Sequence, residues 1–408
     1  MSDATYKLVK HEFILELDYL SYIGRKIFIH PFLNRSKTSV TCYAIITVLI
    51  SLTALQLFIT LCVTALTTTN WFELINIAPN LGVVLMTLTK YYKIHQHRSL
   101  YEEIFEHYRK DIWTVEMADK DYQNIISQYT KITKIVTRFL FYYCIPLIIV
   151  VNSFPRIMMY YEVNVAKKEK EYLLPYDGWY PFDKINWYYI AYLWEGSMTV
   201  LVIGIVSISN SIHVAYTYFI CMELKVLGQS IENLITVDNV NDLIENIDVR
   251  NTLRVINNEL KDIARRHQVL AGLSSRLNTV LGDTMLLTYF FGSVFMGLTF
   301  FTATVEDNIY KALRYFFMCC SLVVDSFYQC MIGQVLINHS ENLAHSIYSA
   351  DWTYADSNTK SSLLILMIRA QKPFQYTAKG YLSMNLNTFS AICSLSFQLF
   401  NLVRRVYE

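Results

Sequence analysis

Charge is the scarcest property of this sequence. Only 17% of its 408 residues are charged, against roughly 25% in soluble globular domains, and 53% are hydrophobic. A water-soluble enzyme is therefore a poor match to the composition. The formal net charge is +1, so the chain also lacks the basic surplus that holds a phosphate backbone, and we expect no nucleic-acid partner.

The sequence also lacks the patterns of catalysis and of metal binding. It contains no GxSxG, HExxH, P-loop or GxGxxG motif, and we therefore predict that it is not an enzyme. Its eight cysteines show no CxxC or Cys/His spacing. All of them lie within or at the ends of apolar segments, so neither a disulfide framework nor a metal or other cofactor is expected.

The chain has a series of long uncharged segments instead. Roughly 20 apolar residues are needed for a helix to cross ~30 Å of hydrocarbon, and seven segments meet that length. We therefore predict an all-α, polytopic membrane protein of one domain, residues 1–408. The predicted spans are approximately 40–66, 73–92, 138–161, 187–222, 280–305, 315–339 and 381–404. We expect no cleavable signal, because the residues before the first span are too charged.

Two observations favour a cytosolic N-terminus. The two glycosylation sequons, at Asn34 and Asn338, both fall on the inner side in that orientation, and no cysteine lies in an outer loop. The inner segments 93–137, 223–279 and 340–380 are then long. Apolar residues in the first two recur at helical spacing, which predicts helices that extend below the membrane and pack together as an anchor.

Short motifs, most of them in the last third of the chain, resemble the insect odorant receptor family. These motifs are Trp179-Tyr180-Pro181-Phe182-Asp183, Gly333-Gln334, Tyr348-Ser349-Ala350-Asp351-Trp352, Arg369-Ala370-Gln371-Lys372-Pro373, Thr377-Ala378 and Thr388-Phe389. The resemblance implies an inverted seven-span, ligand-gated, non-selective cation channel in the plasma membrane of an olfactory sensory neuron. Segment 223–279 lacks the long insertion of the family's co-receptor, so the chain looks like a tuning subunit. A heterotetramer with that co-receptor around a central pore is the implied assembly.

Span seven carries the predicted pore face. Ala391, Leu395, Gln398, Leu402 and Val406 recur every three or four residues and so share one side of a helix. This spacing is also typical of ordinary helix packing, so periodicity alone leaves both interpretations open. The resemblance favours a pore lined by the last half of this span, with Leu402 and Val406 closing it by dewetting.

A ligand pocket is predicted in the outer half of the membrane. Spans three and four run in opposite directions, which places a set of their residues at similar depth, together with parts of spans two and six. Such a mostly apolar pocket would suit a small apolar volatile molecule. The predicted ligand-binding residues are Ile75, Pro79, Ile149, Asn152, Ser153, Arg156, Ile157, Tyr189, Tyr192, Leu193, Gly196, Ser197, Phe316 and Cys319. Taken singly, each of them is more simply explained by packing against a neighbouring helix or lipid.

Three acidic residues lie within predicted spans and should face protein or water, because a carboxylate in hydrocarbon is costly. Asp283 lies at the inner edge, where solvation is expected, and Asp325 lies within span six. Glu195 lies at a depth at which it could pair with Arg156.

Three other classes remain as alternatives. A gustatory receptor of the same superfamily would share the architecture without needing the olfactory co-receptor. A G-protein-coupled chemoreceptor would have the opposite orientation, and a transporter would show repeated halves, which this sequence lacks.

Overall fold

The computed structural model describes residues 2–26, 28, 37–67, 71–114, 120–165, 167, 172–245 and 249–407. Their regular structure is almost entirely helical. The elements are α1 (Ser2–Lys26), α2 (Lys37–Thr67), α3 (Trp71–Gln96), α4 (Arg98–Arg109), α5 (Lys120–Tyr142), α6 (Cys144–Asn164), α7 (Tyr188–Glu232), α8 (Val237–Ile244), α9 (Val249–Val305), α10 (Ile309–Ser349), α11 (Ser357–Ala370), β1 (Thr377–Ala378), β2 (Leu382–Ser383) and α12 (Leu386–Tyr407).

Seven helices among the described residues are long and apolar enough to cross a membrane. They are α2, α3, the α5–α6 pair, α7, α9, α10 and α12, which confirms the all-α polytopic class. Several of their bounds differ from those of the predicted spans. Helix α3 continues through Lys90 to Gln96, α10 already begins at Ile309, and α12 begins only at Leu386 because a short hairpin precedes it.

Helix α7 forms the centre of the bundle. From Ser207 to Met222 every residue is buried, because α5, α9 and α10 all pack around this helix. Below the apolar spans, α5 and α9 continue as predicted from their spacing. The seam of α9 that runs through Ile256, Leu260 and Ile263 is buried, so the inner helices pack together.

The hairpin before α12 packs closely against α9 and α10. Its strands β1 and β2 are antiparallel, and a turn with Gly380 at φ 78° joins them. A Cβ at Gly333 of α10 would lie 2.1 Å from the carbonyl oxygen of Met384, and one at Gly282 of α9 would lie 2.3 Å from that of Thr377. Only glycine permits these approaches, which gives the Gly333-Gln334 and Thr377-Ala378 motifs a structural reason.

The segment 172–187, which we call the cap, closes one end of the bundle. Its main chain is held by α2 and α7. The amide of Trp179 donates to Thr60 Oγ1 at 2.8 Å, and the side-chain amide of Gln56 donates to the carbonyl of Trp179 at 3.3 Å. We call this end of the bundle the cap end. The opposite end, toward which the hairpin lies, is the base end.

Candidate functional site

A cavity of about 130 Å³ lies inside the bundle, below the cap. Its walls come from α2, α3, α6, α7 and α10, and the cap covers it. Most wall residues are apolar, among them Leu57, Val84, Leu147, Val202 and Leu322. A mostly apolar wall with a few polar groups is the usual form of a small-ligand site.

The floor of this cavity, toward the base end, is a buried ion pair. Lys90 of α3 donates through Nζ to Asp325 Oδ1 of α10 at 3.0 Å and to Asn210 Oδ1 of α7 at 3.3 Å. Asp325 also accepts from Asn210 Nδ2 at 2.7 Å and from Gln329 Nε2 at 3.0 Å. Both charges are almost fully buried, so this network compensates them inside the protein.

The roof, under the cap, carries a second buried cation. Arg314 of α10 donates through Nη1 to the carbonyl of Pro175 at 2.6 Å and through Nη2 to the hydroxyl of Tyr315 at 2.7 Å. Tyr176 of the cap also lines the cavity here. Arg314 and Asp325 are eleven residues apart on one helix, so roof and floor lie roughly 16 Å apart at 1.5 Å per residue.

The sequence allowed a pair between Glu195 and Arg156, but the structure does not contain it. Its carboxylate accepts from the amides of Tyr176 at 2.8 Å and Gly178 at 2.9 Å, and from that of Asp177. The Arg156 guanidinium instead lies 4.3 Å from the centre of the Tyr192 ring. Glu195 therefore fixes the cap turn from α7, because a carboxylate that accepts several amide N–H groups is well compensated.

Asp283 is also paired rather than only solvated. Its Oδ2 lies 2.7 Å from Lys93 Nζ of α3, and both side chains are partly exposed. This pair is a surface counterpart of the buried pair formed by Lys90.

The predicted ligand-binding residues do not line this cavity, as the described residues define it. Seven of them line a separate cleft that opens on the other side of the α6–α7 pair. These are Asn152, Ser153, Arg156, Tyr192, Leu193, Gly196 and Ser197. Tyr192 and Asn152, which the sequence placed at similar depth, are in contact, since the hydroxyl of Tyr192 donates to the carbonyl of Asn152.

The remaining predicted pocket residues lie elsewhere in the structure. More than half of each of Ile149, Ile157 and Tyr189 is exposed, and Phe316 is also exposed. Cys319 donates through Sγ to the carbonyl of Met296, away from the cavity. Ile75 is half-buried and Pro79 is buried on α3, outside the lining. A role for any of these residues in ligand binding remains a prediction.

The predicted pore residues share one exposed face of α12. Ala391, Leu395, Gln398, Leu402 and Val406 are all exposed in the single chain. A neighbouring face, formed by Thr388, Ile392, Ser396 and Phe400, is buried. On that side Ser396 Oγ donates to the carbonyl of Ser293 at 2.9 Å, which ties α12 to α9.

Comparison with known sequences identifies the family that has this architecture. The family model described as 7tm Odorant receptor matches residues 72–397. The chain belongs to this odorant receptor family. Odorant receptor 49a of Drosophila melanogaster is similar, with 27% identity over 149 residues, which are 36% of this chain and 38% of that receptor. Odorant receptor 13a of the same species is 19% identical over 350 residues, covering 80% of this chain and 78% of that receptor. The chain thus aligns with well under two thirds of the first of these relatives.

Solved structures show the same fold. The insect olfactory receptor OR5 from Machilis hrabei superposes with a TM-score of 0.78 at 16% identity, over 95% of this chain and 97% of that one. The structure of OR5 in complex with eugenol has the same TM-score and identity and covers 97% of this chain and all of that chain. At this identity the likeness concerns the fold of the odorant receptor family.

Proposed function

We propose that this chain is the odorant-binding subunit of a ligand-gated, non-selective cation channel. In this proposal it assembles with the odorant co-receptor into a heterotetramer in the plasma membrane, and a small apolar volatile molecule binds in the cavity below the cap. The cavity is the observation that carries the proposal. The eugenol complex of OR5 supports a small volatile ligand for a protein of this fold.

The size of the cavity limits the ligand. Its volume of about 130 Å³ is close to that of an engineered cavity of ~150 Å³ that binds benzene. A ring of that size or a short branched chain fits the apolar walls.

Binding would act on the channel by a difference in affinity. A ligand shifts an equilibrium only when it binds one conformation more tightly than the other. In the proposed mechanism the ligand favours the open arrangement through α10. The floor of the cavity continues from Asp325 through Gln329 to Thr288 of α9, at 3.5 Å between Gln329 Nε2 and Thr288 Oγ1. Helix α9 in turn packs on α12.

The exposed face of α12 supplies the proposed pore lining. Leu395 and Gln398 would line the conduction path, and Leu402 and Val406 near the cap end would close it. An apolar constriction excludes water and hence ions when it narrows. The polar amide of Gln398 would keep the path below the constriction hydrated.

Co-expression with and without the odorant co-receptor tests the proposal. We expect currents evoked by some members of a panel of volatiles only when both proteins are present in the same cell. Robust current from the chain alone would instead favour a gustatory-type receptor. A glycosylation tag inserted before residue 37 should remain unmodified, because the proposal has a cytosolic N-terminus. Its glycosylation would contradict this orientation and favour a G-protein-coupled chemoreceptor.

A further inference from the structure

The two polar ends of the cavity differ in how well their hydrogen-bonding groups are satisfied. At the floor, the three N–H groups of Lys90 face three acceptor atoms, two on Asp325 and one on Asn210. Asp325 in turn receives donors from three side chains. A ligand that entered would therefore find no unused donor or acceptor in this pair.

At the roof, Arg314 is a buried cation without an acidic partner. Its side chain is only 7% exposed, and no carboxylate of the described residues lies within 4.0 Å of it. The two acceptors of its terminal nitrogens, on Pro175 and Tyr315, are neutral oxygens. Its Nε has no hydrogen-bond partner within the described part of the chain. Glu195, which holds the next residues of the same turn, uses its carboxylate on their amides.

Tyr176 is a second unsatisfied donor at the same end. It is 9% exposed and lines the cavity, yet its hydroxyl finds no partner among the residues that the structure describes. Burial raises the pKa of this phenol, so the hydroxyl keeps its proton and remains a donor. Buried polar groups normally have partners, and a buried charge that lacks one is costly. Both groups belong to residues that line the cavity, which indicates that a molecule bound there supplies the acceptor.

We infer that the cavity selects volatile molecules that carry an acceptor oxygen, either a carbonyl or a carboxylate, and that this oxygen is bound by Arg314 and Tyr176 at the roof. The apolar body of the ligand then extends toward the floor, along α7 and α10. This inference rests on the proposed function in taking the cavity as the odorant site, and it adds the chemical class and the orientation of the ligand.

The test uses pairs of molecules that differ only in the acceptor. Each pair consists of a ketone and the alkene in which CH₂ replaces the carbonyl oxygen, such as acetophenone and α-methylstyrene, over a range of aryl and alkyl ketones. Binding is measured as ligand-induced thermal stabilisation of the full chain in phosphatidylcholine nanodiscs. We expect a ketone to bind about fivefold more tightly than its alkene for each hydrogen bond gained.

Two substitutions and a control then assign the preference. Tyr176→Phe removes only the hydroxyl, and Arg314→Lys keeps the charge but removes the planar group. Each should bring the ketone-to-alkene ratio toward one. Tyr160→Phe, on the exposed side of α6, should leave the ratio unchanged. The ratio is informative because a general loss of stability weakens both members of a pair equally. Benzoate, compared with acetophenone, distinguishes an anionic acceptor, which would bind more tightly, from a neutral one.

Several outcomes would overturn the inference. These are equal binding of ketones and alkenes, a ratio that neither substitution changes, and no binding by any pair. The proposed function fails separately. Ketone-selective binding that evokes no current with the co-receptor would preserve the inference and contradict the channel. Currents evoked equally by ketones and alkenes would contradict the inference and preserve the channel.

Discussion

Helices α7 and α12 are both apolar enough to span a membrane, but they differ in what surrounds them. In the most apolar stretch of α7, 67% of the residues are buried within the chain, whereas in α12 the share is 22%. Helix α7 turns polar side chains such as Asn210 and His213 inward, where neighbouring helices bind them. Helix α12 turns the apolar side chains of Leu402 and Val406 outward.

This difference separates residues that hold the fold from residues that act on other molecules. A polar group buried beside α7 is costly to leave without its partner. An apolar group on the exposed face of α12 contributes little to the stability of the single chain. Substitutions beside α7 should therefore lower stability, and substitutions on that face should change conduction while leaving stability nearly unchanged.

The largest expected effect is on the α7 side, at the floor of the cavity. Lys90→Met leaves the Asp325 carboxylate buried without its cation, and we expect this to lower the free energy of unfolding by about 3–5 kcal/mol. Thermal unfolding in nanodiscs measures the change. Lys93→Met breaks the partly exposed pair with Asp283 and should cost at most about 1 kcal/mol.

A double substitution tests the physical reason for that loss. Lys90→Met combined with Asp325→Leu removes both charges and should recover most of the lost stability, because no unpaired charge remains. A double variant as unstable as Lys90→Met alone would contradict the explanation.

A smaller loss is expected where α7 holds the cap. Glu195→Gln replaces an acceptor that receives several backbone amides with a group that offers one acceptor atom fewer, at a cost of about 2 kcal/mol. The measurements are thermal unfolding and the rate of proteolysis within residues 172–187. Asp177→Asn, which breaks only an exposed pair with Lys184, is the control and should change neither by a comparable amount. Equal effects of the two substitutions would contradict the role of Glu195 in holding the cap.

The smallest effect on stability is expected on the exposed face of α12. Leu402→Ala should change the free energy of unfolding by less than about 0.5 kcal/mol, as is usual for exposed positions. It should nevertheless raise the current in the absence of odorant, because a smaller side chain opens the proposed constriction. Leu386→Ala, exposed at the opposite end of α12, is the control. A basal current that Leu402→Ala leaves unchanged would argue that this face contacts lipid.

Charge and periodicity predicted part of this structure well. The seven spans follow from the spacing of charges, and the buried face of α9 follows from its amphipathic pattern. In α9 the predicted seam through Ile256 and Leu260 is buried, and in α12 the face that contains Leu402 is the exposed one. In α9 the distribution of polar residues around the axis indicates which side packs.

The pocket could not be placed in the same way, because α7 is apolar around most of its circumference. The sequence indicates how far along α7 a residue lies, but not which neighbouring helix it faces. Gly196 and Ser197 face the cleft beside Asn152, whereas Met198 and Val202 face the cavity. Rotation depends on packing against neighbours distant in sequence, which a single helix does not encode.

The polar ends of the cavity were missed for a related reason. A lysine normally lies near the edge of a span, and Lys90 lies near the end of the predicted span 73–92, so its position gave no sign of a buried pair. Its partner Asp325 lies 235 residues away, and only the folded chain brings the two together. An acidic residue inside one span and a basic residue near the end of another, taken together, could have indicated this pair.

Filling the cavity tests the central claim most directly. Val202→Phe adds a ring to the cavity wall. Val200→Phe adds the same ring on the other side of α7, in the cleft beside Asn152. Concentration–response curves of odorant-evoked current, recorded with the co-receptor present, should show at least a ~tenfold loss of sensitivity for Val202→Phe. Val200→Phe should leave sensitivity nearly unchanged. The reverse result would place the odorant site in the cleft beside Asn152 and contradict a ligand bound inside the bundle.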